Sequence, residues 1–292
     1  MVNTSAYPVT VDGTRLDTLA YNIETKDGRD LGPTLQGEDI TTGMRDGDIF
    51  VPNKKSGPGR IVLSMWVNGT DEDGIVPTDS YYKYRQNLDM LRRMFGVKHR
   101  LLDVREQLDV AGAHIRQALC TVGAVIDPAM LANFPYTAKM SVELKIMSGF
   151  WQDLADSNYD SAIGLLANTD INLPAFAPMT APMRDMWVVL DGPATNPKII
   201  DNRSGHYAKL NGVIGNGIQW VVDTTNWTSK TGAGIAFTND GVDQYDATEF
   251  AGAHAPSIFG IVADPLGPQV RIEGTGFGAN TRLRLRGKLK YL

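Results

Sequence analysis

The last stretch of the chain, "GTGFGANTRLRLRGKLKYL" at residues 274–292, decides between two kinds of fold. A glycine-rich loop that grips a phosphate must lead into a helix, because the first free N–H groups of that helix hold the anion. The residues after the glycines alternate instead, with Leu283 and Leu285 set between arginines. Alternation with a period of two is typical of a β-strand that buries one face. We therefore interpret the three glycines as a turn and the remainder as a final strand.

The outward face of this final strand is predicted to carry a run of positive charge. Its five members, which we call the basic stripe, are Arg282, Arg284, Arg286, Lys288 and Lys290. The whole chain has a net charge of -5, so the basic stripe would be a local exception. Two interpretations remain open. The charges either protect an exposed edge strand against aggregation, or they face an acidic neighbouring protein or passing nucleic acid.

Period-two patterns also run through the rest of the chain, between short clusters of glycine and proline. The plainest example is "TAKMSVELKIMS" at residues 137–148. Its apolar residues at every second position are Met140, Val142, Leu144 and Ile146. Because charged and polar residues fill the positions between them, we expect one face of this strand to be buried and the other to be open.

One helix is predicted among the strands, in "PTDSYYKYRQNLDMLRRMFG" at residues 77–96. Asp79 or Ser80 can cap its N-terminus, and Gly96 is placed for a left-handed C-cap. The aromatic and apolar residues at spacings of three and four are Tyr81, Tyr84, Leu88, Leu91 and Phe95. A stripe of this kind indicates a helix face that packs on the core.

The length of 292 residues favours two domains over one. Near residues 149–181 small, polar and proline residues replace the alternating pattern, so we place the boundary there. The two predicted domains are residues 1–150, with the helix near 80–95, and residues 151–292. Short strands at regular spacing in the second domain predict an antiparallel β-sandwich. The predicted fold class is therefore all-β with one prominent helix.

Composition excludes several classes of protein. Hydrophobic residues make up 42% of the chain and charged residues 21%, values typical of a soluble chain that can build real cores. No apolar run approaches the roughly 18 residues that span a bilayer, and the first residues lack the regions of a secretory signal. We expect neither membrane insertion nor export. The single cysteine, Cys120, rules out an intramolecular disulfide.

A long polar loop, "QGEDITTGMRDGDIFVPNKKSGPG" at residues 36–59, interrupts the first domain. Loops of this length inside a compact domain are usually binding arms or mobile segments. Its centre can pair as a short strand against a neighbouring molecule. We therefore predict a subunit-contact arm there. Its candidate residues are Asp46, Asp48, Ile49, Phe50 and Val51.

No constellation of residues in the sequence indicates catalysis. The four histidines are isolated from one another and from the cysteine, so no metal-ligand spacing is present. The stretch "NGTDEDG" at residues 68–74 lacks the ligand spacing of a calcium loop. We predict no catalytic, metal-binding or cofactor-binding residues and no enzymatic activity.

Tryptophans in the second domain raise the possibility of sugar binding, because aromatic faces stack on pyranose rings. Trp220 and Trp227 are the candidates for glycan stacking. Core packing is the competing interpretation for tryptophans on strands. A glycan-degrading enzyme is a third hypothesis, which would need a pair of carboxylates in a cleft.

The second domain also resembles a known family. The stretches that carry the resemblance are "PMRDMWVVLDGPATNPKIIDNRSGHYAKLNG" (182–212), "GIQWVVDTTNW" (217–227) and "HAPSIFGIVADPLGPQVRIEGTGFGANTRLRLRGKLKYL" (254–292). Gly192, Asn196 and Pro197 fit a Gly-x-x-x-Asn-Pro turn that introduces a strand in that family. The order of elements in the first half is similar as well. The chain thus resembles the distal tail proteins, a class of minor tail protein, of long, non-contractile-tailed bacteriophages.

This resemblance implies a structural virion protein at the distal end of the tail, made in the host cytoplasm. Members of the family form a hexameric ring that joins the tail tube, and the tape measure within it, to the tip or baseplate hub proteins. The implied first domain is a ring-forming, tail-tube-like sandwich or split barrel. DNA leaves through its channel without sequence-specific binding. The implied second domain is a galectin-like β-sandwich. The alternative function is a carbohydrate-binding adhesin module that docks on host-surface glycans.

Overall fold

The structure is a computed structural model of the chain. It describes residues 8–25, 35–36, 40–41, 48–49, 55–56, 58–96, 99–131, 136–251 and 259–292. The chain divides into two compact units, Met1–Leu154 with Leu292, and Ala155–Tyr291. The prediction of an all-β protein with one prominent helix is confirmed, because strands dominate and the described residues hold one α-helix.

The first unit is built on one large antiparallel sheet. Its elements are β1 (Val9–Val11), β2 (Thr14–Arg15), β3 (Tyr21–Thr25), β4 (Leu35–Gln36), β5 (Ile40–Thr41), β6 (Asp48–Ile49), β7 (Lys55–Ser56), β8 (Gly59–Asn68), α1 (Ser80–Phe95), β9 (Leu102–Gln107), β10 (Ile115–Leu131), β11 (Thr137–Ile146) and β12 (Trp151–Asp153). The strand order in the large sheet is β2-β1-β9-β10-β11-β8-β3, and β12 pairs with the start of β10. Two small pairs, β4 with β7 and β5 with β6, are separate from it.

The face of β11 that was predicted to be buried lies in the core. Met140, Val142, Leu144 and Ile146 are all at most 2% exposed. Their partners on β8 follow the same alternation, since Met140 lies opposite Met65 and Val142 lies opposite Leu63. This regular register fixes which side chains of the sheet point inward.

Helix α1 packs its apolar stripe on the core, with one exception. Tyr84, Leu88, Leu91 and Phe95 are buried, whereas Tyr81 is 46% exposed. The Asp79 side chain caps the helix by accepting a hydrogen bond from Tyr82 N at 2.9 Å. The left-handed C-cap expected at Gly96 is wrong, because that residue keeps a right-handed conformation and its N–H donates to Arg92 O.

The second unit consists of two antiparallel sheets, as the sandwich prediction requires. Its elements are β13 (Ser157–Asp160), β14 (Thr169–Asn172), the 3₁₀ turn η1 (Pro174–Phe176), β15 (Met186–Asp191), β16 (Ala194–Asp201), β17 (Tyr207–Leu210), β18 (Val213–Ile214), β19 (Gln219–Asp223), β20 (Thr228–Gly232), β21 (Val242–Asp243), the 3₁₀ turn η2 (Tyr245–Ala247), β22 (Thr248–Ala251), β23 (Gln269–Thr275), β24 (Arg282–Gly287) and β25 (Lys290–Tyr291). One sheet has the order β13-β24-β15-β19-β20-β21. The other has the order β14-β23-β16-β17-β22, with β18 on β16.

The glycine-rich stretch before β24 is a turn, as its sequence indicates. Gly274 and Gly276 have positive φ angles of 139° and 69°, which favour glycine. A Cβ atom at position 274 would also lie only 3.1 Å from the Cα atom of Pro197. The turn leads from β23 in one sheet to β24 in the other, so it connects two layers instead of closing a hairpin.

Candidate functional site

The strand that carries the basic stripe is an interior strand. β24 pairs with β13 along one edge and with β15 along the other. Both edges are therefore already hydrogen-bonded inside the second unit. The interpretation of these charges as protection of an exposed edge is wrong for that reason.

Two arginines of the basic stripe share one carboxylate on the neighbouring strand. Arg282 Nε lies 3.1 Å from Asp191 Oδ2, and Arg284 Nη2 lies 2.6 Å from Asp191 Oδ1. The side chains of Arg284 and Asp191 are only 14% and 15% exposed. Arg282 has a second partner across the opposite edge of β24, since its Nε lies 3.4 Å from Asp160 Oδ1. These contacts form a ladder of opposite charges across three strands.

The next arginine of the stripe is also paired, and a loop covers part of this face. Arg286 Nε donates to Asp156 Oδ2 at 2.7 Å. The guanidinium groups of Arg284 and Arg286 lie 5.8 and 5.7 Å from the centre of the Phe237 ring. Phe237 packs against a small buried cluster that includes Val189 on β15. The face is thus occupied by the protein's own side chains.

The alternation of buried and outward side chains, from which the end of the basic stripe was predicted, does not continue after Gly287, where β24 ends. Leu289 and Lys290 are both buried, at 5% and 3% exposed, although they are adjacent in sequence. Lys290 Nζ lies 3.0 Å from Asp185 Oδ2. Lys288, between the two strands, is partly buried. The prediction of one continuous outward stripe is therefore wrong, because four of its five members, Arg282, Arg284, Arg286 and Lys290, lie against aspartates of the same unit.

The predicted contact arm is described only in part. Asp48 and Ile49 form β6, in which they lie opposite Thr41 and Ile40 of β5. The remaining arm residues, Asp46, Phe50 and Val51, lie outside the described residues. The role of the arm in subunit contacts stays a prediction.

Trp220 cannot stack on a sugar. Its side chain is 0% exposed, and its Nε1 donates a hydrogen bond to Ser229 Oγ at 2.9 Å. It sits on β19, in the interior of its sheet, where the core interpretation of a strand tryptophan applies. The candidate role of Trp220 in glycan stacking is wrong because no face of the ring reaches solvent.

Trp227 lies in a different setting, at the edge of an open groove. This groove, which we call the Trp227 groove, has a volume of about 380 Å³. Its lining residues are Trp227, Thr228, Lys230, Asp243, Gln244, Tyr245, Asp246 and Ala247. Trp227 is partly exposed and Tyr245 is 48% exposed, so aromatic surface remains accessible there.

A third ring joins the two aromatic residues of the Trp227 groove. The Phe250 ring meets the Trp227 ring edge-on, with ring centres 5.5 Å apart. The centre of the Tyr245 ring lies 6.3 Å from the centre of the Phe250 ring. Carboxylates flank these rings. Asp243 Oδ1 accepts a hydrogen bond from Tyr245 N and lies 3.7 Å from Lys230 Nζ.

An open strand edge in the first unit was not foreseen from the sequence. β9 pairs with β10 only as far as Cys120, which lies opposite Leu102. From Thr121 to Leu131, β10 pairs with β11 on its other side, and no described strand covers the free side. The alternating pattern of the sequence does not show how far a neighbouring strand reaches.

Several features mark this edge of β10. Its pairing with β11 shifts between Val122 and Ala124 and again between Ile126 and Ala129. Such bulges are frequent where a strand is free on one side. Pro128, which has no N–H, is also tolerated mainly on edge strands. Val125 is 40% exposed, so apolar surface accompanies the open backbone.

Two buried titratable groups, Cys120 and Asp201, have raised pKa values. Burial raises the pKa of the Cys120 thiol to about 12, so this cysteine is not a ready nucleophile. Burial also raises the pKa of Asp201, although hydrogen bonds from Ser204 oppose the shift. Among the described residues, no three His, Cys, Asp or Glu side chains cluster as metal ligands. No helix in the same residues has the length and apolar character to cross a membrane.

Comparison with known proteins supports the fold. No family model and no curated protein matches this chain. The crystal structure of the Dit (gp 19.1) protein of phage SPP1 is similar, with a TM-score of 0.60 at 11% sequence identity. That protein is described as a paradigm of the hub adsorption apparatus in phages that infect Gram-positive bacteria. The alignment covers 97% of this chain and 99% of SPP1 Dit, so the two share a fold along nearly their full length.

Two structures of the phage P2 baseplate in its activated conformation, with Ca and with Sr, also align. Their TM-scores are 0.39 and 0.40, at 9% and 8% identity. Each alignment covers 98% of this chain and 99% of the other chain. Scores this low do not support a shared fold.

Proposed function

We propose that this chain is a structural hub protein of a bacteriophage tail. The observation that carries the proposal is the likeness to SPP1 Dit, which extends over both units of the chain and not over one common module alone. A likeness of fold does not by itself transfer function. The proposal therefore also depends on a physical feature of this chain that an assembling subunit requires.

That feature is the open edge of β10. An unpaired strand edge is a template for another chain, and a protein that assembles can cover it with a copy of itself. Ring closure needs a second, different patch on the neighbour. The outer side of β3, the last strand of the large sheet, offers one among the described residues. Because Pro128 lacks an N–H, we expect pairing with a neighbour to end before it.

The ring of this proposal has six copies and lies at the distal end of the virion tail. It joins the tail tube and tape measure to the tip or baseplate hub proteins, and DNA passes through its channel without sequence-specific contacts. The first unit closes the ring as a tail-tube-like domain, aided by the arm around Asp48. The second unit is a galectin-like sandwich. In this role the protein needs no catalytic residue and no cofactor.

Negative-stain electron microscopy of the purified protein tests the ring. We expect closed rings with a central hole and six repeats. A protein that remains a monomer at high concentration contradicts the proposal.

Matched variants test the contribution of the open edge. Ala124→Asp/Val125→Asp places two charges on the free part of β10, where both residues are exposed. Val110→Asp/Ala111→Asp makes the same two changes at exposed positions in the β9–β10 connection. We expect the first variant to lose the ring and the second to keep it. Rings in both variants would show that the edge does not carry assembly.

A second candidate function, a carbohydrate-binding adhesin module, is favoured by a separate observation. The Trp227 groove exposes aromatic and polar groups together on the second unit. This function is compatible with a ring, because the groove is built from the second unit alone.

A further inference from the structure

We infer that the Trp227 groove binds a sugar ring of a glycan, and that the sugar is neutral or carries an amino group. The inference deepens the second candidate function. It does not depend on ring formation, since all the lining residues lie between Trp227 and Ala247 of the second unit.

The conformation of Trp227 points to a role beyond packing. It is the last of four residues that connect β19 to β20, because Asp223 and Thr228 on either side are still paired. Its φ angle is +55°, in the left-handed region where glycine and asparagine are favoured. A bulky residue in that region costs about 1 kcal/mol. Unusual conformations of this kind concentrate at ligand sites.

The loop that holds Trp227 is bonded to the buried side chain of Asp223. Asp223 is 0% exposed, and its Oδ1 accepts a hydrogen bond from Thr225 N at 2.9 Å. Its Oδ2 accepts a second one from Asn226 Nδ2 at 2.7 Å. The buried Asp223 carboxylate thus holds Thr225 and Asn226, the two residues that precede Trp227. The indole is pre-positioned at the groove, which lowers the entropy lost on binding.

The aromatic surface of the groove suits the apolar face of a sugar ring. Trp227 is held by its edge contact with Phe250, while Tyr245 extends beyond them and is 48% exposed. In Trp220, by contrast, the whole ring is buried. Rigid aromatic side chains offer large contact area at low entropic cost, which is why binding surfaces favour them.

The polar groups of the groove suit sugar hydroxyls. Carboxylates accept hydrogen bonds and the Gln244 amide both donates and accepts them, which matches the paired hydroxyl groups of a pyranose. Asp243 and Asp246 bring two negative charges, and Lys230 brings one positive charge. This balance disfavours acidic sugars and phosphates. It favours neutral hexoses and amino sugars. The volume of about 380 Å³ lies within the range of small-ligand sites.

Saturation-transfer NMR on the full chain tests the inference. The probes are glucose, galactose, N-acetylglucosamine and glucosamine, with sialic acid as the anionic comparison. We expect transfer to at least one neutral or amino sugar and none to sialic acid. Absence of transfer to all four would overturn the inference, and so would transfer to sialic acid alone.

Three variants locate the binding. Trp227→Gly removes the ring and relieves the positive φ, so the loop should keep its fold. Tyr245→Ala removes the exposed ring, and Tyr82→Ala makes the same change on α1, where Tyr82 is 60% exposed. We expect the transfer signal to be lost in the first two and retained in the third. A signal that persists in both groove variants places the sugar elsewhere and refutes the inference.

The outcome is separable from that of the hub proposal. The edge variant Ala124→Asp/Val125→Asp changes only the first unit, so it should bind the same sugar as the unchanged protein. Loss of rings with retained sugar transfer in this variant would support sugar binding in the Trp227 groove. The same result would support ring contacts at the edge of β10. If the unchanged protein forms rings but shows no sugar transfer, the hub proposal is supported and the inference of sugar binding in the Trp227 groove is refuted.

Discussion

The strands β24 and β10 differ both in their charge and in what surrounds them. β24 carries alternating arginines and lies between β13 and β15, with its charges against aspartates of its own unit. β10 is mostly uncharged and has a free side from Thr121 onward among the described strands. The strand with the conspicuous charges has its arginines paired with aspartates of its own unit. The inconspicuous strand presents backbone that no described strand pairs.

This difference bears on where each strand could contact a partner. A row of positive charges attracts a partner only if its charge is not already balanced nearby. An open strand edge offers N–H and C=O groups whatever its side chains are. The proposed contact surface for assembly therefore lies on the first unit, whereas the arginines of the basic stripe belong to the internal structure of the second.

The largest difference between the two strands should be found in their side-chain packing. Leu285 of β24 is 0% exposed, so Leu285→Ala should lower the free energy of unfolding by about 3 kcal/mol through lost burial and a cavity. Val125→Ala on β10 should lower it by less than about 0.5 kcal/mol in the monomer, because Val125 is 40% exposed. Chemical denaturation of both variants measures the difference. Equal losses would mean that β10 is also enclosed.

The charge ladder across β24 should contribute the next largest effect. Asp191→Ala leaves Arg282 and Arg284 without their shared carboxylate in a mostly buried site, which should cost about 3 kcal/mol. Asp156→Ala removes the partner of Arg286, which is 44% exposed, and should cost less than about 1 kcal/mol. Thermal unfolding measured by calorimetry distinguishes the losses of stability in the two variants. A negligible loss in Asp191→Ala would reopen the case for a stripe that faces a partner.

The smallest effect concerns the turn beside the open edge. Asp12 bonds to Arg100 at 2.7 Å and accepts a hydrogen bond from Asp103 N near the start of β9. The hydrogen bond from Arg100 lowers the pKa of Asp12 below its ordinary 3.8. The resulting stability is present above the ordinary pKa and is lost as pH falls through the lowered pKa.

Asp12→Asn should therefore destabilise the protein slightly at about pH 7 and hardly at all at about pH 2. Urea denaturation at both values measures the change. A loss of the same size at both would show that the charge of Asp12 is not what stabilises this turn.

Sequence reasoning succeeded where structure is set by local alternation. The buried face of β11, the helix over residues 80–95 and the glycine turn before β24 all follow from patterns within a few residues. The pairing of Arg284 with Asp191 does not, because the two residues are 93 positions apart. Alternation predicts which side chains leave a strand on the same face, but it does not say which strand lies alongside.

The two tryptophans illustrate the same limit. Trp220 and Trp227 lie seven positions apart on one hairpin, and no local pattern distinguishes them. Trp220 is enclosed because β19 is an interior strand. Trp227 is accessible because it ends the connecting loop in a left-handed conformation. The sequence did not predict the free edge of β10 for a related reason. The length of β10 that is covered depends on the residue at which the neighbouring strand β9 begins, and no local pattern in β10 determines that residue.

Hydrogen exchange of the assembled protein reports on backbone pairing at the open edge of β10, where the proposed contact between subunits lies. We expect the amides of β10 between Thr121 and Asp127 that point away from β11 to exchange slowly in the wild-type assembly and quickly in the Ala124→Asp/Val125→Asp monomer. Amides of β24 should be protected in both. Rapid exchange along the free side of β10 in an intact assembly would contradict the account.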